Sequence, residues 1–140
     1  GLYTRGQIPG KGDPAGGDRA LKAATWKKRI IKACEEAGTY RECFISVIDT
    51  LANLMEERDN AKQLFEESGG QTVVEYTNKA GATNKVKNPA LVVLMDCDTL
   101  ALSYWRDLGL TPAGLKKLKA DAMKEEGRQS FGDVLAGLGI

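Results

Sequence analysis

Apolar side chains recur at steps of three and four along three long stretches of this chain, the period of an α-helix. The first stretch carries Leu21, Ala24, Trp26, Ile30, Ile31, Ala33 and Cys34. It predicts a helix over about 19–37, capped by Asp18 and stopped by Gly38. The second carries Phe44, Val47, Ile48, Leu51, Leu54, Met55, Ala61 and Phe65. Thr39 with Glu42 has the form of a capping box, so this helix is expected to open at Thr39 and run to about Ser68. At about 1.5 Å per residue it makes a rod of roughly 45 Å. Such a rod suits a hairpin of helices or a bundle seam better than a lone small globule. Glu56, Glu57, Asp59, Glu66 and Glu67 are expected to face outward.

Ser68-Gly69-Gly70 stops the rod. The segments Gln71–Thr77 and Thr83–Lys87 flank Asn78-Lys79-Ala80-Gly81, a turn ending in glycine, and predict a short β-hairpin over about 71–87. Asn88 followed by Pro89 is a helix start: the side chain caps orphan amides and proline sits where no amide is needed. The third helix is predicted over about 89–107, with Leu91, Leu94, Met95, Asp98, Leu102 and Trp105 on a broad face turned towards the second. Gly109 falls where that helix ends, and Thr111-Pro112 repeats the starting device. A short fourth helix to about Met123 follows, with Leu115, Leu118 and Ala122 inward and Lys116, Lys117, Lys119 and Lys124 outward. The remaining tail is polar from Glu125, then carries Phe131, Val134, Leu135, Leu138 and Ile140, the makings of an amphipathic turn or a docking peptide.

The fold class is therefore mainly α: a long helical hairpin core with one short β-hairpin and a short C-terminal helix, in a chain small enough to finish its core by oligomerising. Three regions are expected: an arm over 1–17, a helical domain over 18–123 and a tail over 124–140. The arm holds six glycines and two prolines and almost nothing apolar, so it reads as flexible.

The net charge of +1 names no partner, but its distribution is uneven. Residues 1–32 hold eight Lys or Arg against Asp13 and Asp18, and residues 33–68 hold nine Asp or Glu against Arg41, Arg58 and Lys62. A basic surface can thus meet an acidic one, within a subunit or between neighbours. With no histidine, the commonest general base and metal ligand is missing. Cys34, Cys43 and Cys97 are too scattered for a zinc site, and their odd number argues against a disulfide framework, so buried free thiols in a reducing cytosol are expected. The glycine-rich arm lacks the strand and the Lys-Ser/Thr ending of a phosphate loop. Neither catalysis, a metal, a cofactor nor a membrane span is expected.

Two basic elements are candidate DNA contacts. One is the first helix, with Arg19, Lys22, Lys27, Lys28, Arg29 and Lys32 around Trp26. Its lysines and arginines suit phosphates, giving salt-dependent and weakly sequence-specific binding. The plainer reading is a solvated face that answers the acidic second helix. The other is 101–120, where Gly109 falls at the turn of a helix-turn-helix pattern and Lys116, Lys117 and Lys119 lie near phosphate. Trp105 stands where that motif wants a small residue, Gly114 weakens its second helix, and Arg, Asn and Gln for reading base edges are missing there.

Taken in order, these features resemble the small subunits of tailed-phage and prophage terminases, in the class sometimes called P-twenty-seven-like. The likeness covers about residues 20–120. It rests on Trp26, Thr39-Tyr40-Arg41-Glu42, Asn78-Lys79-Ala80-Gly81, Lys87-Asn88-Pro89-Ala90-Leu91 and Leu108-Gly109-Leu110-Thr111-Pro112. Many members carry an arginine shortly after Thr-Pro; here the stretch reads Ala113-Gly114-Leu115-Lys116-Lys117. The resemblance implies a non-catalytic packaging factor in the cytoplasm of the infected bacterial host. Such a factor forms a homo-oligomeric ring, binds double-stranded viral DNA and presents it to a large subunit carrying ATPase and nuclease. The alternatives are a dimeric helix-turn-helix transcription regulator and a protein–protein adaptor with no DNA role.

Overall fold

Short polar residues and glycines set the ends of the helices. The computed structural model describes residues 20–139. Along them run α1 (Ala23–Ala37), a single 3-10 turn (Glu42–Phe44), α2 (Ile45–Glu67), β1 (Val73–Thr77), β2 (Thr83–Lys87), α3 (Pro89–Asp107) and α4 (Pro112–Gly137). The architecture is mainly helical with one antiparallel β-hairpin. The expected arm over 1–17, Asp18 and Arg19 lie outside the described residues.

α1, α2 and α3 close with the same pair of hydrogen bonds. In α1 the Thr39 amide donates to the Cys34 carbonyl at 2.8 Å and the Gly38 amide to that of Glu35 at 3.1 Å. Gly70 and Gly69 do the same on Phe65 and Glu66, and Leu110 and Gly109 on Trp105 and Arg106. A residue one or two positions past each helix must then turn left-handed, and Gly38, Gly69 and Gly109 do so with φ of 77°, 89° and 75°. At the starts, Asn88 Oδ1 accepts from the Ala90 amide and Thr111 Oγ1 from that of Gly114, each at 3.0 Å.

The expected capping box at Thr39 is not formed. The Thr39 amide is already used to close α1, and Arg41 is extended at φ −139° and ψ 141°. One residue cannot end one helix and start the next in this way, so α2 begins after the 3-10 turn. At its own start, α1 has no side-chain cap from Lys22. Carboxylates of α2 stand in: Glu56 accepts from the Ala23 amide and Asp59 from the Leu21 amide, both at 3.2 Å.

α2 is the central rod, with α1 and α3 packed on it. Leu21 meets Asp59 while Lys27 meets Asp49, so α1 runs antiparallel to α2. Arg58 meets Asp98 while Ser68 meets Asn88, so α3 does too. The core is made by Ile30 and Cys34 of α1, Ile48, Leu51, Ala52 and Met55 of α2, and Ala101 and Leu108 from the third limb. Burying each large aliphatic side chain contributes about 1.5–3 kcal/mol. Trp26 and Trp105 join α1 to α3, their rings 6.4 Å apart and tilted by 54°.

Four expectations need correction. Asp59 does not face outward: it is 8% exposed, because it serves the Trp26 indole and the start of α1. The inner face of α3 is not the one carrying Met95 and Leu102, which are 49% and 59% exposed. Small Cys97 and Ala101 face α2, and Tyr104, Trp105 and Leu108 complete that face. Cys43 is exposed, unlike Cys34 and Cys97. Finally, α4 is not short. It continues through the predicted tail to Gly137, and Leu118 and Ala122 are exposed on it. No proline interrupts this stretch, and i,i+4 Lys117–Asp121 and i,i+3 Glu125–Arg128 pairs lie along it.

The hairpin pairs Val73 with Lys87 through Thr77 with Thr83. Asn78 builds the turn, accepting from Ala82 through Oδ1 at 3.0 Å, and Gly81 there has φ 91°. The two strands pack chiefly on each other and stand off the helices. Buried Asn88 clasps the hairpin's base: its Nδ2 donates to Ser68 Oγ at 3.0 Å and to the Gln71 carbonyl at 2.8 Å.

Candidate nucleic-acid interface

Alternating exposure along α1 divides its basic residues into two groups. Lys22 lies 3.9 Å from Glu56, and Lys27 lies 2.9 Å from Asp49. These pairs answer the acidic second helix within one subunit, as the plainer sequence reading expects. At the surface such pairs are worth about 0–1 kcal/mol. Lys28, Arg29 and Lys32 are exposed and make no ion pair among the described residues. Their spacing of one and three positions sets them along one outer flank of α1.

Arg29 is fixed in part by Trp26, with its guanidinium carbon 5.5 Å from the ring centroid. Trp26 itself is half-buried. Its Nε1 donates to Asp59 Oδ2 at 2.8 Å, so its polar edge is engaged inside the protein rather than offered to a base. Asp59 also accepts from Arg58 at 3.2 Å, and Arg58 Nε donates to Asp98 at 2.8 Å. Partial burial works against the Arg58 charge, but the hydrogen bonds to Asp98 and Asp59 outweigh it and hold the guanidinium above its usual value. This chain of contacts links α1, α2 and α3 beneath the basic flank. Sequence reasoning places Trp26 there but misses Asp59, because a lone acid among outward acids on a helix carries no mark of burial.

Lys116, Lys117 and Lys119 are exposed on the first turns of α4. They lie at the far end of the bundle from the hairpin, where Gly109 abuts Thr39. Lys117 is 3.9 Å from Asp121. The two basic groups thus sit on different elements and form no single patch through any described contact. Because α4 is longer than the sequence pattern indicates, it also contains Arg128 and Gln129, the residue types absent from its first turns.

Among the described residues, no three His, Cys, Asp or Glu side chains are grouped to hold a metal ion. Burial pushes the thiols of Cys34 and Cys97 up from their ordinary values, which keeps them in the unreactive protonated form. No described helix is long and apolar enough to cross a membrane.

A protein-family model described as "Phage terminase, small subunit" matches residues 23–125, more than half of the chain. The match begins at the first residue of α1, takes in the hairpin and α3, and ends midway along α4. No curated protein and no solved structure matches the chain.

Proposed function

This chain belongs to the phage terminase small-subunit family and so has a role in phage DNA packaging; from that premise we propose that it is a non-catalytic DNA-binding ring subunit. In this reading copies close into a homo-oligomeric ring, bind double-stranded viral DNA, and deliver it to the large ATPase and nuclease subunit. The work is done in the cytoplasm of the infected host.

One observation carries the assembly: α3 is apolar on its outer side as well as its inner one. Val92, Val93, Met95, Leu100 and Leu102 are all exposed on it. A helix apolar over most of its circumference is at home only when both sides are covered, and one subunit covers one side. A neighbouring copy supplies the second cover. A dimeric regulator would place α4 in the major groove, yet its first turns carry lysines and no side chain suited to reading base edges.

Lys28, Arg29 and Lys32 are the first-choice phosphate contacts, since no described carboxylate neutralises them. Lys22 and Lys27 are weaker candidates because Glu56 and Asp49 compete for them. Lys116, Lys117 and Lys119 are a second site; Arg19, outside the described residues, is a candidate from the sequence alone. Repetition around a ring multiplies a few weak contacts into useful avidity. Gel retardation of duplex DNA at low salt tests the assignment. Changing Lys28, Arg29 and Lys32 together to Glu is expected to abolish the retarded band. An unchanged band with the folded triple variant would refute α1 as the contact.

A further inference from the structure

We infer that the β-hairpin is a second duplex-DNA contact, made through Lys79, Lys85 and Lys87. The strand register sorts the hairpin into two unlike faces. Val74, Val86 and Tyr76 share one face, with Asn84 opposite Tyr76. Lys85 and Lys87 share the other face with Glu75, Val73 and the hydrogen-bonded Thr77 and Thr83. Lys79 projects from the turn between the strands.

The three lysines are exposed and make no ion pair among the described residues. That includes Lys85, although Glu75 is its direct cross-strand partner. Glu75 is also the only acid between Gln71 and Asn88, so the hairpin carries a net positive charge. Lysines two apart on a strand are separated by about 7 Å. Each DNA strand presents a phosphate about every 3.4 Å of helix axis, so lysines this far apart can each meet a separate phosphate. A two-stranded ribbon is also narrow enough to enter the major groove.

The body of the protein offers the ribbon to solvent. It packs little on the helices and is anchored at its base by Asn88. It rises from the end of the bundle towards which α1 points its N-terminus, since α1 begins beside Asp59 and runs away from the hairpin. An isolated hairpin gains little from its own strands, so a charged, exposed one at this place suits a surface that is completed by a ligand. The contact is to phosphates, because lysine on a short ribbon carries charge rather than a base-reading fork.

This inference rests on the DNA-binding reading above, and the test separates the two. Full-length protein is titrated with a duplex over a salt series. Changing Lys79, Lys85 and Lys87 to Gln is expected to weaken binding at least about tenfold and to flatten the log–log salt slope by up to about 2.7, roughly 0.9 for each phosphate no longer neutralised. Glu75→Gln removes the one opposing charge and is expected to tighten binding. That gain cannot come from damaged folding. If either variant binds like the wild type while the wild type binds DNA, the hairpin site is wrong and the α1 site stands. If the wild type does not bind duplex DNA at any salt concentration, both readings fall.

Discussion

Gly114 is held by a close approach rather than by an unusual backbone. A methyl group there would run into the Arg106 carbonyl oxygen, a backbone atom that already accepts the Gly109 amide. Alanine would gain about 1 kcal/mol of helix propensity in α4, but overpacking against backbone costs about 1–3 kcal/mol. Gly114→Ala is therefore expected to lower stability by up to about 2 kcal/mol in urea unfolding, and a stabilised variant would disprove the packing argument. Read in the sequence, the same glycine only weakens a would-be recognition helix. Its real reason is a contact between residues eight apart across a turn, which no local pattern encodes. Asn88, Gly109 and Thr111 are legible for the opposite reason, since a cap and a left-handed turn are local chemistry. Half of Asn88 is still hidden: its amide nitrogen ties α2 to the hairpin, a tertiary role that its capping oxygen does not announce.

At the scale of elements, the hairpin and the bounds of α3 follow their sequence patterns closely, while the start of α2, the inner face of α3 and the length of α4 do not. α3 is hard to orient from sequence because both of its sides are apolar; the small Cys97 and Ala101, not the bulky Met95 and Leu102, are its buried positions. The inward stripe of α4 fades at Met123, which is why the pattern predicts an end there. Nothing actually stops the helix there, and Met123, Phe131 and Val134, with Leu138 at the C-cap, continue it as one exposed stripe, Phe131 being 65% exposed. Spaced by eight, three and four residues, these share one side of the helix. Residues 126–137 of α4 lie beyond the family match, and we propose that this end of the helix, with the apolar tail from Phe131, seats the large subunit. Removing residues 125–140 is expected to leave the far-ultraviolet signature of the three packed helices and DNA retardation in place while abolishing capture of the large subunit. Undiminished capture would discard that assignment.

For the whole molecule, the charge divided along the sequence becomes a division of surface. Among the described residues, part of it is neutralised between α1 and α2, and Lys28, Arg29 and Lys32 face out. In the proposed ring, the small inner core and the outward apolar side of α3 place the burden of stability on neighbouring copies. The most direct measurement is native mass spectrometry of the full chain, run beside a variant with Met95 and Leu102 both changed to Glu. A closed assembly of several copies for the wild type, falling to monomer in the variant, is the expected result. A wild-type monomer at micromolar concentration, or an assembly indifferent to those two changes, would contradict the account.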